Sequence, residues 1–135
     1  GLQPRVCDAM DYMMDLTKDN TSGIVNFCLN YGGHAELTDA VRAIAGEVQA
    51  GTLSPADINE STVESHLYRQ LPPVDFLIRT SGEQRISSFL LWQAAYAEFY
   101  FTPVLFPDFD KGQFDAALAE YARRDRRMGG DTKKK

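Results

Sequence analysis

Apolar residues in the first part of the chain recur at helical spacing and then give way to a short continuous run. Pro4, followed by apolar positions every three or four residues, predicts a helix to about Lys18. Gly23–Leu29 is rich in strand formers and predicts a buried strand. A second helix is predicted to end at Gly51, and its predicted buried face consists of Leu37, Val41, Ile44 and Val48.

The second part of the chain alternates between strand and helix patterns. Ser61–Glu64 has the pattern of a capping box and predicts a short helix. Val74–Ile78 and Glu98–Thr102 predict strands, joined by a helix from about Ser87 to Tyr96. A last helix is predicted to bury Phe114, Leu118 and Tyr121. Strands that alternate with helices predict an α/β fold with a parallel sheet covered by helices.

Two features of this pattern favour an incomplete sheet. Three strands are few for a fold of this type, in which roughly four to six are usual. The chain also opens in a helix, with no strand before it. A small, complete three-stranded domain is the alternative that the pattern leaves open.

Composition restricts the class of protein. The 135 residues are 44% hydrophobic and 24% charged, which is typical of one globular domain. No apolar run reaches the roughly 20 residues that span a bilayer, and the first residues do not resemble a signal peptide, so a cytoplasmic protein is expected. Cys7 and Cys28 lack the spacing of a metal site and are expected to be reduced thiols.

Charge is distributed unevenly along the chain. Residues 1–122 contain seven basic and 17 acidic side chains, whereas residues 123–135 contain seven basic and two acidic ones. Because an acidic body repels the phosphate backbone, no nucleic-acid partner is expected. The basic end is either a patch that contacts membranes or anions, or a solvated terminus. Residues 131–135 are interpreted as a disordered basic tail that follows one domain over residues 1–130.

Candidate chemistry is concentrated in Arg79–Ser87, the segment Arg-Thr-Ser-Gly-Glu-Gln-Arg-Ile-Ser. It lies between the carboxyl end of a predicted strand and the start of a predicted helix, where open α/β sheets bind ligands. Arg79 and Arg85 can offer forked donors to phosphate oxygens, and a helix start favours an anion. These features predict a site for a strongly anionic group such as a diphosphate. The alternative is an ordinary turn in which both arginines pair with acids such as Glu83.

A longer pattern, from Asp75 to Thr102, resembles the signature of the undecaprenyl diphosphate synthase family, the cis-prenyltransferases. Leu105–Asp110 continues the resemblance, Leu29–Gly33 is similar to a family loop, and Arg126–Gly130 is similar to the family's Arg-x-Gly ending. The resemblance implies a transferase that condenses isopentenyl diphosphate with an allylic, farnesyl-type diphosphate. Its implied product is a long-chain cis-polyprenyl diphosphate, by default undecaprenyl diphosphate, a lipid carrier for cell-wall synthesis.

The resemblance also assigns roles to individual residues. It makes Glu98 a ligand of Mg²⁺, although a helix of about nine residues after Arg85 would carry the chain roughly 13 Å from the anion site. It further implies a homodimer and a transient membrane-surface contact for product release. Isopentenyl diphosphate would be bound by Arg79, Arg85, Ile86 and Ser87, and a further diphosphate contact would come from Arg127 and Gly129.

The departures from the family pattern are equally informative. The family's His-x-x-Met-Asp-Gly-Asn-x-Arg stretch supplies the catalytic aspartate and binds the allylic diphosphate, and residues 1–135 contain no match to it. The chain therefore resembles a C-terminal half without a catalytic residue, expected to be inactive alone, with the N-terminal half truncated or on a separate segment. His34 replaces the arginine typical of the family and is interpreted as a surface or capping residue. The rival interpretations are a non-catalytic accessory subunit and an unrelated phosphate-binding domain.

Overall fold

The computed structural model describes residues 2–125, which form four helices and two strands. The helices are α1 (Pro4–Thr17), α2 (Gly33–Gln49), α3 (Glu60–Ser65) and α4 (Lys111–Ala122), and the strands are β1 (Phe76–Arg79) and β2 (Glu98–Phe101). Single 3-10 turns occupy Pro55–Asp57 and Phe106–Asp108. No helix among these residues combines the length and apolar character needed to cross a membrane.

The sheet consists of β1 and β2, which pair in parallel from Phe76 opposite Glu98 to Arg79 opposite Phe101. Both strands were predicted, and the α/β class with a parallel sheet and helices is confirmed. Helix α4 packs against β2. On this side the rings of Phe76 and Tyr121 lie 4.7 Å apart between centroids, and Ala117 is fully buried.

The prediction of a third strand at Gly23–Leu29 is wrong for the described chain. This segment has no regular secondary structure, and Ile24, Val25 and Phe27 are exposed. It belongs to a first compact unit that ends at Tyr31, and the sheet belongs to a second unit that begins at Gly32. An apolar run becomes a strand only where a neighbouring strand satisfies its backbone groups. Within residues 2–125, only β1 and β2 find such partners.

The helix predicted from Ser87 to Tyr96 is also wrong, because a series of turns takes its place. Ser87, Ser88 and Leu90 have φ values of 47°, 66° and 47°. This left-handed backbone interrupts the hydrogen-bond ladder of a right-handed helix, and residues other than glycine adopt it only at an energetic cost.

Helices α1 and α2 confirm two predicted elements, and Gly51 follows α2 with a φ of 73°. The predicted buried face of α2 was partly wrong, because Ile44 is buried whereas Val41 is 63% exposed. The residues that α2 buries are Gly33, Glu36, Ala40 and Ile44. This face is rotated from the predicted one because Glu36 is held inside by hydrogen bonds, from Gln93 Nε2 at 3.3 and 3.4 Å and from the Tyr68 N–H at 3.1 Å.

Two further details differ from expectation. The capping box of α3 is formed by Asn59 and Thr62, so the helix begins before the predicted Ser61. On α4, the small side chain of Ala117 is fully buried, whereas Phe114 and Leu118 are 45% and 42% exposed. The predicted buried side was therefore wrong for these two residues.

The single-domain prediction over residues 1–130 stays a prediction, and the predicted tail at residues 131–135 lies outside the described residues.

Candidate functional site

The loop that follows β1 is fixed by backbone hydrogen bonds to the segment that follows β2. The N–H of Ser81 donates to the carbonyl of Val104 at 2.8 Å, and that of Gly82 donates to the carbonyl of Thr102 at 2.9 Å. Ser81 and Gly82 have φ values of 70° and 74°, so the chain reverses sharply here. The loop is thereby held at the carboxyl end of the sheet, as the sequence predicted.

Arg79 brings the predicted site residues together. Its Nη1 donates to the Ser87 hydroxyl at 3.0 Å and to the Arg85 carbonyl oxygen at 2.5 Å. Its side chain is 25% exposed, whereas that of Arg85 is 65% exposed. Ile86 lies between the two contacts and is half-buried. The four residues expected around isopentenyl diphosphate therefore form one continuous cluster.

Glu83 lies between the two guanidinium groups of this cluster. Its carboxylate forms an ion pair with Arg85 and lies 3.7 Å from Nη2 of Arg79. The pairing that the sequence offered as an alternative to an anion site is therefore present. Two cations and one carboxylate leave an excess of positive charge, and the exposed Arg85 side chain can turn towards a ligand.

The helix start expected at Ser87 is absent, so the prediction that a helix N-terminus contributes to anion binding was wrong. The start of α2 lies at this place instead. The N–H groups of Gly33 and His34 donate to the carbonyl and the hydroxyl of Ser88, at 2.7 and 3.0 Å. Because Ser88 takes these two donors, they hold the loop and do not face a ligand.

Glu98 lies at the opposite end of the sheet from the loop. It is paired with Phe76, three residues before Arg79, which corresponds to about 10 Å along the strands. Its Oε2 accepts from Arg124 Nη1 at 2.9 Å, and the same nitrogen donates to the carbonyl of Phe99 at 2.8 Å. The sequence argument for a separation between Glu98 and the anion site agrees with this register.

The residues around Glu98 do not by themselves fit Mg²⁺. No group of three or more His, Cys, Asp or Glu side chains suited to a metal ion occurs within residues 2–125. A hard cation prefers several oxygen ligands, and the guanidinium of Arg124 already occupies one oxygen of Glu98.

Changed pKa values occur on and beside α2 and α3. The pKa of His66 is raised because its ring donates to the carbonyl of Thr62 and, next in importance, to the Glu47 carboxylate. The hydroxyl of Tyr68 donates to Asp39 at 2.6 Å. This hydrogen bond lowers the pKa of Asp39 and raises that of Tyr68.

The described residues also contain a cleft of about 620 Å³ that includes none of the predicted site residues. Its walls come from α3 and from the segments around Leu71 and Trp92. The loop after β1 is therefore an exposed site outside this cleft.

Sequence reasoning missed the contact between α2 and Ser88. The available signal was the pair Gly32-Gly33, since a side chain on Gly33 would have no room beside Ser88. The predicted diphosphate contacts Arg127 and Gly129 lie outside the described residues.

Comparisons with known proteins agree on the family. A family model described as "Putative undecaprenyl diphosphate synthase" matches residues 1–129. The trans,polycis-polyprenyl diphosphate synthase ((2Z,6E)-farnesyl diphosphate specific) of Thermobifida fusca is 55% identical over 117 residues, which are 86% of this chain and 42% of that protein. The decaprenyl diphosphate synthase of Mycobacterium tuberculosis is 49% identical over 134 residues, 96% of this chain and 45% of that protein.

Solved structures give the same result for the fold. Lavandulyl diphosphate synthase from Lavandula x intermedia, crystallised with dimethylallyl diphosphate, has a TM-score of 0.86 and 43% identity, covering 93% of this chain and 54% of that one. A probable undecaprenyl diphosphate synthase from Campylobacter jejuni has a TM-score of 0.76 and 31% identity, covering 95% and 58%. The chain spans about half the length of the curated relatives it matches. From its sequence and its fold alike, the chain belongs to the undecaprenyl diphosphate synthase family of cis-prenyltransferases.

Proposed function

We propose that this chain is the isopentenyl-diphosphate-binding part of a cis-prenyltransferase. The enzyme would condense isopentenyl diphosphate with a farnesyl-type allylic diphosphate and make a long-chain cis-polyprenyl diphosphate, by default undecaprenyl diphosphate for cell-wall synthesis. The observation that carries the proposal is the Arg79 guanidinium, which contacts both Ser87 and Arg85 at the carboxyl end of β1. Relatives named as polyprenyl diphosphate synthases support the reaction class.

The residues of the cluster would act by positioning and charge. Arg79 is held by its neighbours and would present a fixed guanidinium to the diphosphate, whereas the more exposed Arg85 would close over it. The Ser87 hydroxyl would add a neutral donor. Fixing the homoallylic substrate in this way prepares its double bond for attack on the allylic carbon, because orientation removes much of the entropic barrier.

Mg²⁺ belongs to the proposal only as the resemblance implies it. When bound, the ion would offset the charge of the diphosphates. Glu98 would have to share or exchange its contact with Arg124, and the remaining oxygen ligands would come from substrate or from residues beyond those described. Arg127 and Gly129 are proposed as a further diphosphate contact on the same grounds. A homodimer, an N-terminal half with the allylic site, a cytoplasmic location and a transient membrane contact complete the proposal.

The test uses the full-length protein with Arg79→Ala and Arg85→Ala. Loss of a charge-assisted contact to phosphate costs about 1.5–3 kcal/mol, or roughly 10- to 150-fold in kcat/KM for isopentenyl diphosphate. Arg42→Ala is the matched control, because its side chain is 74% exposed and pairs with Asp39 on the same helix. Unchanged kinetics in both loop variants would refute the anion site and would indicate that the two arginines only pair with Glu83.

An accessory, non-catalytic subunit, which would keep the anion site and partner a complete enzyme, is the second candidate. The mass of the natural polypeptide separates the two: about 15.1 kDa favours the accessory subunit, and about twice that value favours the enzyme. We further expect a polypeptide of residues 1–135 alone to make no product from farnesyl diphosphate and labelled isopentenyl diphosphate. Joining two diphosphates needs two facing anion sites, and the loop supplies one. Product formed by that polypeptide alone would refute this part of the proposal.

A further inference from the structure

The start of α2 forms hydrogen bonds to a single residue beside the candidate site, Ser88. The N–H of Gly33 donates to the Ser88 carbonyl at 2.7 Å, and the N–H of His34 donates to the Ser88 hydroxyl at 3.0 Å. The Nδ1 atom of His34 lies 3.0 Å from the same hydroxyl. Both polar groups of Ser88 beyond its own N–H are therefore held by two consecutive residues of α2.

These contacts stabilise a segment of strained backbone, Ser87-Ser88. Ser87 and Ser88 have φ values of 47° and 66°, and left-handed backbone costs a residue with a Cβ roughly 1–2 kcal/mol. Such a conformation persists where contacts around it fix it. On one side Arg79 holds the Ser87 hydroxyl, and on the other side His34 holds the Ser88 hydroxyl. The two contacts are separated by one peptide bond.

The ring of His34 can keep this contact in either of its protonation states. A hydroxyl has one donor and two acceptor positions, and in Ser88 one acceptor position is used by the backbone N–H of His34. A neutral ring with its proton on Nε2 accepts the Ser88 hydroxyl proton at Nδ1. A protonated ring donates from Nδ1 to the second acceptor position. The contact therefore depends on the position of this nitrogen atom.

We propose that His34 is a positioning residue for isopentenyl diphosphate binding. Its ring fixes Ser88, which sets the backbone of Ser87 and thereby the hydroxyl that Arg79 and the diphosphate share. The inference rests on the proposed function. His34 itself touches no substrate in this arrangement, so its effect is on how well the loop is formed before the diphosphate arrives.

The experiment measures steady-state kinetics of the full-length protein with His34→Ala, Ser88→Ala, the double variant and His34→Asn. Loss of one neutral hydrogen bond corresponds to about three- to tenfold in affinity, so KM for isopentenyl diphosphate should rise by that factor in each single variant. The double variant should be no worse than Ser88→Ala, because both single variants remove the contact between the His34 ring and the Ser88 hydroxyl, and Ser88→Ala also removes the acceptor of the His34 N–H. His34→Asn should restore KM to within about twofold, since an asparagine amide can occupy the place of Nδ1. KM for the allylic substrate should not change.

Arg79→Ala and Arg42→Ala complete the set and separate the two ideas. If Arg79→Ala raises KM for isopentenyl diphosphate but His34→Ala and Ser88→Ala do not, the positioning role is wrong and the proposed function stands. If Arg79→Ala has no effect, the proposed function fails, and the inference fails with it. Equal losses for both substrates, or no rescue by His34→Asn, would also overturn the inference, because they indicate general damage to the fold. Melting temperatures of all variants identify that damage directly.

Discussion

Two glycines on α2 should respond to the same substitution with opposite sign. A Cβ on Gly33 would lie 2.7 Å from the Ser88 carbonyl oxygen and 2.9 Å from Cγ of Leu91, whereas a Cβ on Gly46 would meet nothing within 4 Å. The carbonyl oxygen belongs to the backbone and cannot rotate away. Gly33→Ala must therefore push α2 and the turn apart, and Gly46→Ala adds only a methyl group to an open surface.

The magnitudes follow from these distances. Overpacking of this kind costs about 1–3 kcal/mol, of which better helix propensity returns up to about 1 kcal/mol. We expect Gly33→Ala to lower the free energy of unfolding by about 1–2 kcal/mol. Gly46→Ala should raise it by about 0.5–1 kcal/mol, because alanine is the better helix former and restricts the unfolded chain. The expected difference between the two variants is thus about 1.5–3 kcal/mol.

Urea unfolding of the full-length protein, followed by circular dichroism, measures both changes against the wild type. Each variant should shift the midpoint and leave the slope unchanged, since neither alters the surface exposed on unfolding. Equal effects of the two substitutions, or stabilisation by Gly33→Ala, would refute the packing of α2 against Ser88. An intact Gly33→Ala variant should also bind isopentenyl diphosphate more weakly, because it displaces the loop.

Three further predictions concern groups away from the loop. The pKa of His66 is raised in the folded state, so its stabilising effect is complete below the unfolded pKa of about 6.5 and is lost as pH rises through the folded value. The melting temperature of the wild type should therefore rise when the pH is lowered from 8 to 5.5 by more than that of His66→Gln does. An equal rise in both proteins would refute the pairing with Glu47. Arg124→Met should destabilise the fold by about 1–2 kcal/mol in denaturant unfolding, because it leaves the partly buried Glu98 without its cation; a loss below about 0.3 kcal/mol would contradict this. Glu36→Ala should cost about 1–3 kcal/mol and more than Glu36→Gln, since the amide keeps one acceptor for the groups that Glu36 binds; equal losses in the same assay would refute it.

The sequence predicted those elements whose partners are close at hand. Val74–Ile78 and Glu98–Thr102 read as strands and pair with each other, at slightly shorter lengths. The segment from Ser87 to Tyr96 has a helical composition, yet its first turn is held open by His34, 54 residues earlier in the chain. No local pattern reports such a contact. The same reason explains Gly23–Leu29, whose apolar run cannot reveal whether a strand lies beside it.

The sequence predicted which residues form the candidate site better than it predicted the contacts that hold them together. Arg79, Arg85 and Ser87 do come together, because they belong to one short loop at the end of one strand. The expected helix start does not contribute, and an arginine side chain organises the loop instead. Glu83 was considered only as evidence against an anion site. In the structure its ion pairs and the cluster occur together, so the two interpretations were not exclusive.

The position of Glu83 between two arginines has a consequence for which anions the loop can select. The carboxylate acts as an internal counter-ion, and an incoming anion must compete with it for the same guanidinium groups. A singly charged anion would exchange one carboxylate-like partner for another and would gain little. A diphosphate brings several negative charges and enough oxygen atoms to engage both arginines while Glu83 moves aside. The loop would thus discriminate among ligands by valence, and ordinary carboxylate metabolites would remain poor competitors even at high concentration.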